Sequence, residues 1–238
     1  MRSARRPAAA VLAVAGILLG AGTAGFVLER LIASQKPTLR YAPAPSVPAP
    51  AAAARDLTPE RRAIPDQLPD FSLPDLEGTP HRLKDWQGRA LAVNFWATWC
   101  EPCRREIPLL QTIGQEKSAN GLEIVGIAID HPDNVRKFVH ELGIGYPILV
   151  GEQGGLEAVA AFGMDTVLPF TVFADTKGRV VTLKVGELHR DEATFILARL
   201  TDLDAGRLSL AAAREQIGEG VRRLAAARAQ GAGGKGSD

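Results

Sequence analysis

The sequence predicts a three-layer α/β domain set behind an N-terminal membrane segment. Three observations predict it. Strand-like and helix-like segments alternate from Ala90 to Val150 and give way to a hairpin and a further helix. The apolar stretches Ala90–Trp96 and Leu122–Ile129 run without alternation, as in strands covered on both faces. A Pro/Ala-rich stretch then separates this part from an uncharged N-terminal run. With 238 residues, the chain has room for one ordinary domain plus appendages. Its 28 basic and 27 acidic residues leave no nucleic-acid footprint, so no nucleic-acid partner is expected. Two cysteines in the whole chain exclude a disulfide framework and a second pair for tetrahedral zinc.

In chain order, Met1–Arg6 carries Arg2, Arg5 and Arg6, and Ala8–Leu28 follows without a charge. That run is long enough to cross a hydrocarbon core of ~30 Å as a helix, with the basic end left in the cytoplasm. Residues 1–30 are therefore read as a signal anchor. A cleavable signal peptide is the rival, with Gly22-Thr23-Ala24 as a small-residue cleavage site. Either way the remainder is exported, to the periplasm or outside the cell, where a disulfide persists. Residues 31–67 read as a linker, extended by the proline and alanine of Pro37–Ala54.

The folded domain is expected over residues 68–200. Phe71–Leu73 and His81–Leu83 flank the turn-forming Asp75–Gly78, which predicts a short hairpin. A buried strand over Ala90–Trp96 precedes a helix over Cys100–Lys117, in which Pro108 predicts a kink. Next come a strand over Leu122–Ile129, a helix over Asn134–Leu142 capped by Asp133 or Asn134, a strand within Tyr146–Val150 and a helix over Leu156–Phe162. Phe170–Ala174 and Val180–Val185 form a hairpin around Asp175–Gly178, and Asp191–Leu200 is a closing helix. Residues 201–238 read as a helical extension interrupted by Gly218 and Gly220, each costing about 1 kcal/mol inside a helix, and unstructured from Gly231. Trp96 and Trp86 are expected in the core, and Trp99 at a rim.

The chemistry lies in Asn94-Phe-Trp-Ala-Thr-Trp-Cys100-Glu-Pro-Cys103-Arg-Arg-Glu106. Two cysteines three apart on one helical face can cycle between dithiol and disulfide with little backbone movement. Thiol–disulfide exchange needs a thiolate, and a free cysteine with a pKa of about 8.5 is mostly protonated at neutral pH. At a helix N-terminus, unpaired N–H groups and the helix dipole stabilise the anion, with Arg104 and Arg105 adding to it, and Pro102 suits the first turn. Cys100, at the exposed tip beside Trp99, is read as the attacking thiol and Cys103 as the resolving one. A structural or zinc-ligating pair is the alternative. His81, His131, His140 and His189 are scattered through the chain; His131 alone follows a strand toward the site.

At these residues the chain resembles the thioredoxin superfamily, and more narrowly the TlpA/ResA-like membrane-anchored thiol-disulfide oxidoreductases. The resemblance runs from about Phe71 to Leu200 and includes Phe71–Gly78 and Val167-Leu-Pro-Phe-Thr171. It implies a thioredoxin-like fold with a mixed central sheet and an added N-terminal hairpin. No cofactor and no metal are expected. It also implies a reducing role in an exported compartment, in cytochrome c maturation or copper-site assembly. Pro169 matches the family's cis-proline, which lies against the two cysteines and leaves the Leu168 backbone free for a substrate strand. Glu106 matches the family's active-site glutamate and would take the Cys103 proton. Thioredoxin itself uses an aspartate where Asn94 stands here, and Asn94 cannot titrate. A solvated glutamate among Arg104 and Arg105 is the plainer reading of Glu106.

The expected partners are a disulfide-containing protein substrate, contacted by Trp99, Pro102 and Leu168, and a membrane dithiol donor. The rival functions are a Cu(I) chaperone using the same two thiolates, for which Met1 and Met164 are the only methionines, and a peroxidase, which a vicinal cysteine pair suits poorly.

Overall fold

The structure, a computed structural model, describes residues 64–117 and 121–233. The expected anchor (1–30), the Pro/Ala-rich stretch (37–54) and residues 234–238 lie outside the described residues. Among those described, no helix is long and apolar enough to cross a membrane.

A two-stranded antiparallel hairpin comes first, β1 (Ser72–Pro74) with β2 (Pro80–Arg82). Asp75 makes its turn, accepting the backbone N–H groups of Glu77 and Thr79 on Oδ1 at 2.9 and 2.8 Å. A 3-10 turn, Leu83–Trp86, then leads into the main sheet. That sheet has five strands: β3 (Ala90–Trp96), β4 (Leu122–Ala128), β5 (Ile148–Val150), β6 (Phe170–Ala174) and β7 (Val180–Val185), in the order β5-β4-β3-β6-β7. The β3–β4 and β4–β5 pairs are parallel, while β6 runs antiparallel to both β3 and β7, so the sheet is mixed. Asp175 builds the β6–β7 turn as Asp75 builds the first, accepting from Lys177 and Arg179.

The helices are α1 (Glu101–Lys117), α2 (Pro132–Leu142), α3 (Glu152–Ala161), α4 (Arg190–Asp204) and α5 (Leu210–Gly233). Strand β3 divides its side chains between two layers. Leu91, Val93 and Phe95 meet Ala158 and Val159 of α3 and Phe162 just after it, together with Leu73 and Leu83. On the opposite face, Ala92 and Trp96 meet α1, α2, α4 and α5. Three layers result, as the unbroken apolar strands require.

Several boundaries moved, each for a tertiary reason. Helix α3 begins at Glu152 rather than Leu156, so it contains Gly154 and Gly155. A Cβ at Gly154 would lie 2.8 Å from Leu73 Cδ2 and one at Gly155 3.0 Å from Ile129 Cγ1. Close approach, rather than helix propensity, selects glycine there. The cap of α2 is His131, whose Nδ1 accepts the Asp133 N–H with Pro132 in the first turn, not Asp133 or Asn134. The edge strand near Tyr146 is confined to Ile148–Val150. Helix α1 continues through the exposed Pro108. Asp66 and Gln67, assigned to the linker from sequence, belong to the fold: the Asp66 carbonyl accepts from Val180 N–H at 2.9 Å, and Gln67 pairs with Arg179.

The largest departure is at the C-terminus. Helix α5 runs unbroken through Gly218, Gly220 and Gly231. Its Ala213 and Ile217 are fully buried in the same core as Ile196 and Leu200 of α4. Gly220 is buried where a Cβ would run into the Phe195 ring, so it is the point of closest approach between α4 and α5. Arg214 reaches Asp66 at 2.9 Å and bonds the Val180 carbonyl of the edge strand. Trp86 is half-buried against the core and packs beside His81.

Candidate active site

Strand β3 delivers Asn94 and Trp96 to the sheet's C-terminal end, and a tight turn puts Cys100 at the start of α1. The Cys100 carbonyl accepts from Arg104 N–H at 3.1 Å, and its Sγ accepts from Cys103 N–H at 3.3 Å. Cys100 therefore occupies the N-cap position, with Pro102 at the second helical residue, where its missing N–H costs nothing. The two cysteines form a disulfide with their Cα atoms 5.3 Å apart.

The site is more enclosed than the sequence suggested. Cys100 is only 5% exposed and Cys103 fully buried, while Trp99 stands out at 68% and Pro102 is half-buried. The exposed tip is thus Trp99, and Cys100 is the more accessible of two sheltered sulfurs. Arg104 lies over the Phe138 ring, and Arg105 pairs with Glu187 at 2.7 Å, so both guanidinium groups have partners other than the sulfurs.

The Leu168–Pro169 peptide bond is cis. Pro169 is buried, and its carbonyl accepts from Gly186 N–H at 2.8 Å. Leu168 packs against the cluster that holds both cysteines, so a residue 68 positions beyond Cys100 returns to the same surface as the dithiol. Val167 is half exposed beside it.

Glu106 is buried, in contrast to the solvated reading. One turn beyond Cys103 on the inner face of α1, it accepts from Asn94 Nδ2 at 2.7 Å and from Leu188 N–H at 2.6 Å. Burial pushes its carboxyl up from 4.5 to about 7; the bonds from Leu188 and Asn94 pull the other way, Glu187 adds to the rise and Lys184 opposes it. Asn94 also donates to Thr171 Oγ1 at 3.0 Å. Register places Asn94 opposite Thr171, and Thr171 opposite Lys184, giving a polar row across the sheet beneath α1. On the other side of Asn94, the row continues at Gly126. A Cβ there would lie 2.6 Å from Ile148 Cδ1 and 3.0 Å from Trp96 Nε1.

Sequence reasoning treated Asn94 only as a residue unable to titrate; in the fold it orients Glu106. It missed Leu188, whose contribution is a backbone N–H and carries no side-chain signal. It also missed Asp130, buried at the end of β4, which accepts from Thr98 N–H (3.1 Å), Thr98 Oγ1, His131 N–H (2.7 Å) and Asn134 Nδ2 (3.1 Å). Burial raises its carboxyl, but these bonds outweigh it and hold it below its ordinary value. An aspartate closing an apolar strand was the available signal. His131 is exposed and serves α2 as a cap.

This arrangement suits dithiol–disulfide exchange: a capped sulfur at a helix N-terminus, a buried partner one turn in and a carboxyl that titrates near neutrality. Comparison with known proteins agrees. Residues 64–197 match the AhpC/TSA family. The chain is 35% identical over 131 residues to the thiol-disulfide oxidoreductase ResA of Geobacillus thermodenitrificans, covering 55% of this chain and 74% of the relative. With ResA of Bacillus anthracis it shares 31% over 143 residues, covering 60% and 81%. Among solved structures, it resembles a secreted thiol-disulfide isomerase from Corynebacterium glutamicum with a TM-score of 0.53 at 28% identity, covering 57% of this chain and 86% of that one. A thiol:disulfide interchange protein DsbE from Chlorobium tepidum gives 0.52 at 27%, covering 57% and 96%. The chain belongs to the AhpC/TSA family and is a protein thiol-disulfide oxidoreductase of thioredoxin-like fold.

Proposed function

We propose that this oxidoreductase is an exported, membrane-tethered reductant of protein disulfides. Cys100 attacks the substrate disulfide and forms a mixed disulfide. Cys103 then passes its proton to the Glu106 carboxylate and attacks Cys100 Sγ, breaking the mixed disulfide; the substrate sulfur leaves as a thiolate and is protonated, from Glu106 or water, to complete the dithiol. The Cys100–Cys103 disulfide that remains is reduced by a membrane dithiol donor. The substrate strand lies along Leu168 and Pro169, with Trp99 and Pro102 at the rim. Tethering rests on the arginine-flanked Ala8–Leu28 run, which makes the protein single-pass in the cytoplasmic membrane with its domain outside. An apocytochrome or a copper-site protein is the proposed substrate class.

The observation that carries the direction is electrostatic. Strong oxidants of this kind are oxidising because their reduced, thiolate form is stabilised. Here Arg105 is paired with Glu187, Arg104 is spent on Phe138, and the ionisable group next to buried Cys103 is the acid Glu106. With the Arg105 charge matched by Glu187 and an acid beside Cys103, the thiolate is weakly favoured, so the disulfide form is the stable one and the dithiol gives up its electrons readily.

Equilibration with glutathione or dithiothreitol buffers tests this: a potential near about −270 mV or below is expected, and one near about −120 mV overturns the reducing direction. Converting Cys103 to Ser in the full chain should trap substrate on Cys100; the absence of any mixed disulfide would reverse the proposed order of attack.

A further inference from the structure

Helix α5 lies wholly beyond the family match, which ends at residue 197, yet it reaches toward the active site through one residue. Arg228 donates from Nη1 to both Asp191 oxygens at 2.7 Å and from Nη2 to Glu192 Oε1 at 2.5 Å. Glu192 is completely buried. Its other oxygen accepts the His189 N–H at 3.1 Å and faces Lys184 Nζ at 3.6 Å and His189 Nδ1 at 3.4 Å. Lys184 donates in turn to the carbonyls of Val185 and Glu187, both at 3.0 Å. The loop from Gly186 to His189 is thereby fixed at Glu187 and at His189, and Leu188, between them, presents its N–H to Glu106 at 2.6 Å.

We propose that Arg228 is a positioning residue for Glu106: by holding Glu192 it fixes the loop whose Leu188 N–H orients the active-site carboxylate. The inference rests on the proposed role of Glu106 as proton acceptor for Cys103. A buried carboxylate with a single strong cation is costly, and removing one partner of a buried charge pair leaves the other poorly compensated. Without Arg228, Glu192 retains Lys184 as its strong cation, draws it closer and loosens the loop. Both consequences disfavour the Glu106 anion, because the Leu188 N–H and Lys184, together with Asn94, are what oppose its desolvation. The other groups facing Glu106 do not substitute for Lys184 and the Leu188 N–H. Asn94 on β3 already donates to Glu106 and carries no charge to add, Glu187 is an anion already paired with Arg105, and Tyr146 before β5 is half-buried with burial holding its hydroxyl protonated well above its ordinary range.

The test is a carboxyl NMR titration of Glu106 in the full chain in detergent, with the Cys100–Cys103 disulfide intact so that no thiol titrates, and with the resonance assigned by Glu106→Gln. Arg228→Met should raise the Glu106 midpoint by about half a pH unit, as expected for a weakened Leu188 N–H bond and a withdrawn Lys184, and Arg228→Lys should restore most of it. Arg214→Met unpins the same helix from Val180 and Asp66 and should leave the midpoint unchanged. An unchanged or lowered midpoint in Arg228→Met, or an equal rise in Arg214→Met, overturns the proposal. If Arg228→Met does not fold, Asp191→Asn weakens the same grip with Glu192 intact; a smaller rise supports the inference, and no rise overturns it. Because this titration reads the oxidised protein, its failure is separate from a failure of the proton-acceptor reading, which the pH profile of Glu106→Gln turnover decides.

Discussion

The dithiol end of the sheet and the docking face of α5 are both buried, but they are assembled from opposite materials. Around Glu106 the interior holds hydrogen-bonding groups: Asn94 Nδ2, which donates to Glu106 and to Thr171, and the Leu188 backbone N–H. Between α4 and α5 it holds mostly small or apolar side chains fitted by shape, Gly220 against Phe195 and Ile217 in the shared core, with the buried Glu192 joined to Arg228 at one end. A buried acid is sensitive to proton concentration, whereas a steric joint is sensitive to volume. Away from the Glu192–Arg228 pair, perturbations of the two regions should therefore separate into changes of rate and pH dependence on one side and changes of stability on the other.

The largest effect is at the sulfurs: Cys100→Ala should bring disulfide-reductase turnover to the uncatalysed background while thermal unfolding of the reduced domain barely moves. Next, Glu106→Gln should slow mixed-disulfide resolution about 10²-fold at neutral pH, the lower range for a lost proton acceptor, as followed by stopped-flow exchange. The same variant bears on stability. Folding raises the Glu106 midpoint from 4.5 to about 7, so its contribution is complete below pH 4.5 and is lost as pH rises through 7, in total about 3 kcal/mol. Denaturant unfolding of the oxidised domain should show that decline in the parent and a flatter profile in Glu106→Gln. Equal slopes would mean that the acid is not held as described.

On the steric side, Ile217→Ala should cost about 2–4 kcal/mol by opening a cavity, with reductase activity per folded molecule preserved. Gly220→Ala should cost about 1–3 kcal/mol by overpacking. Combining it with Phe195→Ala should cost less than the sum of the two, since one clash is relieved by the other change; strict additivity in a double-mutant cycle would remove Gly220 as the point of contact. Smallest of all, Trp99→Ala should shift stability by no more than about 0.5 kcal/mol while raising KM for a protein substrate. A large loss of stability would show that the rim residue belongs to the core.

The same contrast explains what was legible in advance. The disulfide pair, the end of the strand leading to it and the first turns of the helix behind it lie within 13 consecutive residues, Asn94 to Glu106, so residue type and spacing report them directly. The hairpin turns were equally local, because Asp75 and Asp175 bond their own neighbours. The glycines misled for the opposite reason. Gly154, Gly155 and Gly220 carry a propensity that argues against helix, and what overrides it is a partner tens of residues away: Leu73, Ile129 and Phe195. Likewise, the His131 cap was hidden by the better-ranked Asp133 beside it.

The sequence by itself determined the order of strands and helices, the redox pair and the identity of the carboxylate one turn behind it, since each is written in a short stretch whose chemistry is complete without distant help. Only the tertiary structure decided that Cys100 is sheltered while Trp99 is exposed, that Glu106 is buried against Asn94 and Leu188, and that the last helix is part of the core. Those are matters of desolvation and close approach, which depend on what the fold brings from elsewhere in the chain, and no local spacing encodes them.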